Sequence, residues 1–392
     1  MKTTHQVIFA DSKRMTGVDS ESVDLIVTSP PYPMIEMWDD LFISQNQAIG
    51  KAFTEGHGAS AFELMHKELE GVWDEVYRVL KKGGIACINI GDATRTVGGN
   101  FVLYQNHSRI MSYMLEKGFS ALPAILWRKQ TNAPNKFMGS GMMPPGAYVT
   151  LEHEFVLILR KGSFREFKKP KEKQIRRESA FFWEERNIWF SDIWFDLKGT
   201  GQELNNDKTR LRSGAYPFEL SYRLVNMFSV KGDMVLDPFL GTGTTTLASM
   251  VSGRNSIGFE VEPDFEDMIK SQIQMVMPLS NEYMKSRIKR HVGFVEDRVG
   301  SKAGFKFKYK NKHYGFPVMT SQEQEILFNE LLAVEETKDN TFKVTYSEKP
   351  QEGFCGHWDD LISSEGAKKP ATKRRPRDAT NKSAQLTLLD NQ

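Results

Sequence analysis

Asp237-Pro238-Phe239-Leu240-Gly241-Thr242-Gly243-Thr244-Thr245 follows the short apolar run Asp233 to Leu236 and leads into a helical run from Thr246. Strand, glycine turn and helix in that order is the repeating unit of parallel α/β sheets. The two glycines let a backbone approach a nucleotide-like ligand that a Cβ would fend off. No Lys follows the last glycine, so the turn is not a phosphate loop and ATP or GTP binding is disfavoured. Ser256 to Glu260 reads as the next strand and ends in an acid, at about the 20-residue spacing that suits ribose hydroxyls. The alternative for Glu260 is a surface acid closing a strand.

The N-terminal half carries the same rhythm. Gln6 to Ala10 reads as a strand ending at Asp11, and Val23 to Val27 as a buried strand that runs into Thr28-Ser29-Pro30-Pro31-Tyr32. Two prolines end the ladder and fix the directions of the preceding carbonyls, giving a rigid corner of acceptors beside an aromatic ring. Such a corner suits a flat group bearing an NH2, held by stacking on Tyr32 and by donating its hydrogens; a nucleobase fits. A polyproline-like turn is the plainer reading of the tetrapeptide alone. Ile35 to Gly58 has no clear period and reads as a long loop. Ser60 to Leu80 reads as a helix capped at Ser60, followed by a strand from Ile85 to Ile90. His107 to Lys117 reads as a helix, Leu122 to Trp127 and Glu154 to Leu159 as strands, and Thr131 to Gly146 as a mobile loop. The alternation argues for an α/β sheet.

With 392 residues, 40% hydrophobic and 26% charged, the chain exceeds the roughly 250 to 300 residues that one core usually serves. No apolar run is long enough to cross a bilayer, and Met1-Lys2-Thr3-Thr4-His5 is not followed by a signal-peptide core, which points to the cytoplasm. Cys87 and Cys355 have no partners at metal spacing, so neither a disulfide framework nor a metal site is expected. The net charge of +2 does not by itself announce a nucleic-acid binder, but its distribution is uneven. Arg160, Lys161, Arg165, Lys168, Lys169, Lys171, Lys173, Arg176 and Arg177 crowd one segment, and Phe181, Phe182, Trp183, Trp189, Phe190, Trp194 and Phe195 follow. Counterion release would reward phosphate contacts from Arg160, Lys161, Lys168, Lys169, Arg176 and Arg177; the aromatics read more naturally as core than as base contacts.

Taken together, Thr28 to Tyr32 and Asp237 to Gly243 resemble the S-adenosylmethionine-dependent DNA amino-methyltransferases of prokaryotic restriction-modification systems. With the catalytic motif ahead of the cofactor motif, the chain is similar to the β arrangement of that family over roughly Gln6 to Met277. The resemblance implies a Rossmann-like methyltransferase fold: a mostly parallel seven-stranded sheet with helices on both faces, cyclically permuted so that the chain begins at the third strand. It also implies a catalytic half over 1–159, an inserted target-recognition region over 160–212 and a cofactor-binding half over 213–278. Ser29, Pro30, Pro31 and Tyr32 take the catalytic positions. Asp11 matches the acid near the adenine, Phe218 belongs to the element at the methionine end, Asp237, Phe239, Gly241, Gly243 and Thr244 form the glycine motif, and Glu260 takes the ribose. Glu152-His153-Glu154-Phe155 resembles the segment closing the sheet, with a packing role. The implied cofactor is S-adenosyl-L-methionine without a metal. The implied partners are double-stranded DNA at the nucleoid and a separately acting restriction endonuclease, with the chain a monomer or homodimer.

A ring-carbon methyltransferase needs a cysteine nucleophile, and neither cysteine follows a proline in a catalytic-looking loop, so the target is an exocyclic amine. Within the family a Ser at the first motif position goes with the N4 amine of cytosine more often than with the N6 amine of adenine. One hydroxyl does not exclude adenine. A DNA-binding module with a relic pocket is the rival from another class.

Beyond Pro278 the resemblance fades. Ser321 to Glu336 reads as a helix capped at Ser321 and Thr341 to Tyr346 as a strand, which suggests a small accessory α+β domain over 279–350. Residues 351–392, rich in Lys and Arg between Gly366 and Asp378, read as a disordered tail.

Overall fold

The computed structural model describes residues 1–129, 138–197, 216–301, 304–354 and 358–362. Residues 131–137 of the expected 131–146 loop, part of the recognition region and most of the basic tail lie outside the described residues. The chain runs β1 (Lys2–Phe9), β2 (Val23–Thr28), α1 (Asp39–Gln45), α2 (Gln47–Thr54), α3 (Gly58–Val79), β3 (Leu80–Ile90), β4 (Ala93–Val97), β5 (Asn100–Tyr104), α4 (Asn106–Glu116), β6 (Phe119–Arg128), β7 (Met138–Gly139), β8 (Ala147–Tyr148) and β9 (His153–Lys161). It continues with α5 (Pro170–Glu178), α6 (Trp183–Trp189), β10 (Ile193–Trp194), α7 (Phe218–Phe228), β11 (Met234–Asp237), α8 (Thr244–Val251), β12 (Asn255–Glu260), α9 (Glu266–Gln274), α10 (Val276–Ser301), β13 (Tyr309–Lys310), β14 (Pro317–Val318), β15 (Leu331–Lys338) and β16 (Thr341–Tyr346).

A 10-stranded sheet in the order β10-β6-β9-β3-β2-β11-β12-β1-β16-β15 organises the molecule. β3, β2, β11, β12 and β1 are mutually parallel, and β9 runs against both β3 and β6. The stretch from β6 to β1 is therefore the expected mostly parallel seven-stranded sheet with one reversed strand, and the chain enters it at the edge of the parallel group, as the cyclic permutation requires. β2 is buried at all its positions, which is why Val23, Leu25, Ile26 and Val27 crowd it instead of alternating with exposed polar residues; its polar members, Asp24 and Thr28, are buried too. On one face α3 lays Ala61, Met65, Leu69, Val72, Trp73 and Val76 onto Ile26, Ile88 and Leu236. On the other face α7, α8, α9 and α10 bury Leu224, Ala248, Ile269 and Ile288 with Leu25, Val27 and Val235.

Three expectations change. Ile35 to Gly58 is not a long loop: a 3-10 turn (Glu36–Trp38) leads into α1 and α2, which bury Phe42, Ile49 and Ala52. The apolar period is interrupted by Asn46, whose Oδ1 accepts from the Ala48 amide at 3.1 Å and restarts the helix. α3 starts at Gly58 rather than at a Ser60 cap, and glycine is needed there because a Cβ would strike the Tyr104 hydroxyl. In the C-terminal region, Ser321–Glu323 is a single 3-10 turn, in which Thr320 and Glu323 make a capping box; the chain is then extended into β15. Ile326, Leu327 and Phe328 are buried in succession, which no one-sided helix allows. β15 and β16 add antiparallel strands to the outer edge of β1, and Tyr314, Phe316, Phe342 and Val344 share one core with Tyr222 and Leu247. The region expected as an accessory α+β part after Pro278 thus extends the main sheet at its β1 edge and shares its core. Among the described residues no helix is long and apolar enough to cross a membrane.

Two histidines are buried in neutral form. His5 bonds Thr3 Oγ1 and Ser256 Oγ, each at 2.8 Å, and His66 Nε2 donates to Asn106 Oδ1 at 3.0 Å. Burial lowers both pKa values to about 3. Above pH 6.5 both are neutral folded or unfolded and contribute no pH dependence; as pH falls from 6.5 towards 3 the unfolded chain gains protons that the folded chain refuses. Each should then remove about 2 kcal/mol of stability between pH 7 and pH 5. Urea unfolding should show a combined loss of about 4 kcal/mol over that interval, largely absent in a His5→Gln, His66→Gln double variant. Equal slopes in the two proteins would contradict this assignment.

Candidate active site

β1, β2, β11 and β12 end at one edge of the sheet, and their last residues open into a cleft of about 660 Å³. The two motifs, distant in sequence, meet there. Thr28 Oγ1 donates to Asp237 Oδ1 at 2.6 Å, which fixes the Ser-Pro-Pro-Tyr corner against the glycine turn. Ser29, Pro30, Pro31 and Tyr32 line the same cleft as Pro238, Phe239, Gly241, Thr242 and Thr244. Asp11 and Glu260, at the ends of the paired strands β1 and β12, line it too.

Asp237 and Phe218 are corrected. Asp237 is buried and does not face the cleft: its carboxylate accepts from Thr28, from Thr245 Oγ1 at 2.7 Å, from Tyr216 OH at 3.3 Å and from the Phe239 amide at 3.0 Å. Burial raises its pKa, and those hydrogen bonds pull the other way. Its part is to hold the turn and the corner together. Phe218 turns away from the cleft and packs on Tyr222 and Tyr283, with ring centroids 5.6 and 5.3 Å away, because its helix presents that face to α10. Tyr216 lines the cleft instead. Within the turn, Gly241 has φ +55° and an added Cβ would point into open space, whereas Gly243, at φ +89°, lies behind the wall as the left-handed cap of α8 and would meet Ile269. Glu260 accepts from the Gly241 amide at 2.7 Å and the Glu262 amide at 2.8 Å, and burial raises its pKa. With about four lone-pair directions, the carboxylate keeps acceptor capacity for a hydroxyl beside these amides and that of Val261.

Several lining residues were not anticipated. Ile35, Met37, Trp38, Leu41 and Phe42 form one wall, supplied by the helices that had read as a loop. Beneath the corner, Tyr32 OH donates to Glu154 Oε2 at 2.8 Å and accepts from Asn89 Nδ2 at 2.8 Å; Ser29 Oγ lies 3.1 Å from the same phenol. Lys129 Nζ pairs with Glu154 Oε1 at 2.7 Å. Burial, then the Glu154 charge, raises the Tyr32 pKa well above its ordinary value, so the phenol keeps its proton. Glu154, expected only to pack, thus sits in the site; its position next to His153 and Phe155 gave no chemical signal.

The basic segment is also corrected. Lys161 is buried and donates to the carbonyls of Tyr77 and Leu80, both at 2.7 Å. Arg165 forks onto Asp233 at 2.6 and 2.9 Å, and Asp233 precedes β11 at the amino-terminal edge of the sheet, opposite the cleft. Arg160 donates to Gly162 O at 3.0 Å, Lys168 pairs with Glu166 at 2.7 Å, and Arg176 lies over Phe167. Lys169 and Arg177 are exposed on that same segment. Of the six residues expected to meet phosphate, Lys161 is therefore committed to protein carbonyls, while Lys168, Lys169, Arg176 and Arg177 are exposed on a segment about a strand length, roughly 20 Å, from the carboxyl edge that carries Ser29. Phe182, Trp189 and Trp194 are core, as their composition suggested.

This strand order, with its one reversed strand and a ligand cleft at the carboxyl edge, is that of class I S-adenosylmethionine-dependent methyltransferases. The chain belongs to the N6_N4_Mtase family, DNA methylase, whose family model matches residues 23–271. It is 50% identical over 89% of its length to the type II methyltransferase M.MthZI of Methanothermobacter thermautotrophicus, covering 96% of that protein. It is 49% identical to M.MjaI of Methanocaldococcus jannaschii, over 69% of this chain and 91% of that one. A solved structure of a DNA modification methylase from Thermus thermophilus, complexed with S-adenosyl-L-methionine, superposes with TM-score 0.54 at 30% identity, covering 70% of this chain and 96% of that one. The cleft fits the same cofactor: a glycine whose missing Cβ leaves room at the turn, and two acids at adjoining strand ends. Among the described residues no group of acids, histidines or cysteines could hold a metal.

Proposed function

We propose that this chain methylates the exocyclic N4 amine of cytosine in a short sequence of double-stranded DNA, as the modification enzyme of a type II restriction-modification pair. The observation that supports it most is the Thr28 to Asp237 bond of 2.6 Å, which sets an acceptor corner and a cofactor turn on one cleft. The type II methyltransferases named above are its kin in sequence.

Asp11 and Glu260 would hold hydroxyl and adenine groups of the cofactor, and Gly241 its close approach. When bound, S-adenosylmethionine supplies an electrophilic methyl group on a sulfonium. The amine of cytosine is a poor nucleophile because its lone pair is delocalised into the ring. Ser29 Oγ and the Pro30 carbonyl accept the two amine hydrogens, which favours a tetrahedral nitrogen with its lone pair available. Orientation and fixed dipoles then carry the acceleration. The base reaches this corner only if it leaves the duplex, and the Tyr32 ring offers a face on which it stacks. A cysteine adduct plays no part at Cys87, which is fully buried with its thiol pKa raised. Ser29 rather than Asp or Asn at the first motif position favours cytosine.

Incubating plasmid DNA with the protein and labelled cofactor, then measuring nucleosides by mass spectrometry, should yield N4-methylcytosine. N6-methyladenine as the product would overturn the choice of base, and unmodified DNA the reading as a whole.

A further inference from the structure

Beneath the corner, Lys129, Glu154, Asn89, Tyr32 and Ser29 share one set of hydrogen bonds whose direction is fixed from one end. An ionised carboxylate only accepts, and an amide NH2 only donates. Asn89 Nδ2 donates to Glu154 Oε2 at 2.6 Å and to the Tyr32 oxygen at 2.8 Å. The single phenolic proton therefore has one destination, Glu154 Oε2 at 2.8 Å. The Tyr32 oxygen is left to accept, so the Ser29 proton turns towards it across 3.1 Å. Only the lone pairs of Ser29 then remain for the cleft, which is what an incoming NH2 needs. Without the carboxylate the chain of hydroxyls could point either way.

We propose that Glu154 is the positioning residue that, through Tyr32, makes Ser29 an acceptor and receives the proton released by the methylated amine. The inference rests on the amine-methylation reading above. Once the nitrogen has used its lone pair to form the N–CH3 bond, it carries a positive charge and must lose one hydrogen. Its N–H bond breaks as a Ser29 O–H bond forms; the original Ser29 O–H breaks as a Tyr32 O–H forms; the original Tyr32 O–H breaks as a Glu154 O–H forms. The base ends neutral, both hydroxyls are restored, and Glu154 holds one proton. It passes that proton to water on the side of Lys129, whose side chain is 46% exposed.

The test uses the full chain with duplex DNA carrying its methylation site and compares Glu154→Gln, Tyr32→Phe and the double variant. Gln is isosteric but can donate to Tyr32 and reverse the chain; Phe keeps the ring and removes the link. Each single variant should slow single-turnover methylation by about 100-fold or more, and the double variant should be no more than about threefold slower still. Affinities for DNA and cofactor, and the fluorescence of 2-aminopurine placed at the target base, should stay within about threefold of the parent, since only the step after base extrusion is affected. A Glu154→Gln rate within about threefold of the parent, multiplying losses in the double variant, or a loss matched by weaker DNA binding would each overturn the proposal. The nucleoside product of the parent is read in the same samples. N6-methyladenine there would overturn cytosine as the target while the relay stands, whereas an unimpaired Glu154→Gln would overturn the relay alone. A parent that methylates no DNA would overturn both.

Discussion

Ser29→Ala should lower the single-turnover methylation rate by about 10²- to 10³-fold, the usual loss when one fixed polar group at a reacting centre is removed. Ser29 is half-buried on the cleft wall, and in the proposed mechanism its Oγ is the side-chain acceptor for the incoming amine. Its removal deletes an acceptor without opening a cavity in the core. Stability should therefore change by less than about 1 kcal/mol, and cofactor affinity should be unchanged, because Gly241, Asp11 and Glu260 keep their places. Rate measurements with excess enzyme, beside calorimetric titration of the cofactor, separate these effects. A Ser29→Ala enzyme within tenfold of the parent would leave the Pro30 carbonyl as sufficient acceptor and would remove Ser29 from the mechanism.

Arg287→Ala should destabilise the fold by about 3–5 kcal/mol, the range for breaking a buried ion pair from one side. Arg287 on α10 is 3% exposed and forks onto Glu185 of α6, with Nε to Oε1 at 2.5 Å and Nη2 to Oε2 at 2.7 Å. Its Nη1 donates to Tyr222 OH of α7 at 2.8 Å, and the guanidinium lies over the rings of Trp189 and Phe328. One side chain thus joins the expected recognition segment, the cofactor half and the C-terminal region. Alanine leaves Glu185 buried without its main partner, and also removes the packed stem. Replacing both partners together, as Arg287→Met with Glu185→Leu, should recover much of the loss because no charge is stranded. Denaturant unfolding of the parent, the single and the double variant measures both. A loss below about 1 kcal/mol for Arg287→Ala would show that the pair is dispensable.

Elements set by local sequence were the legible ones. The buried run of β2, the long amphipathic period of α3 and the glycine turn after β11 each depend on neighbours a few residues away, and each lies where the sequence places it. The short helices α1 and α2 were not legible because Asn46 resets the period after a single turn or two. β15 was hidden for the opposite reason: Ser321 reads as a helix cap, and Thr320 and Glu323 do make a capping box, but the segment after them is claimed by an edge of the sheet that only β1 and β16 create. Charge misled most. The run from Arg160 to Arg177 has the composition of a phosphate-binding stripe, yet Lys161 serves two buried carbonyls and Arg165 ties down Asp233 at the far edge. Composition carries the sign of a patch and says nothing about which end of a sheet it occupies.

The amino-acid sequence alone determined an α/β alternation, a rigid diproline corner and a glycine bend for a nucleoside, since backbone restriction and apolar period are properties of neighbouring residues; entry at the third strand came from the family resemblance. Tertiary structure alone decided which of those residues face the cleft and in which direction their protons point. Those outcomes hang on contacts such as Thr28 with Asp237, Tyr32 with Glu154 and Arg287 with Glu185, separated by 209, 122 and 102 residues. Side chains so far apart along the chain acquire a mutual orientation only when the sheet and its helices close around them.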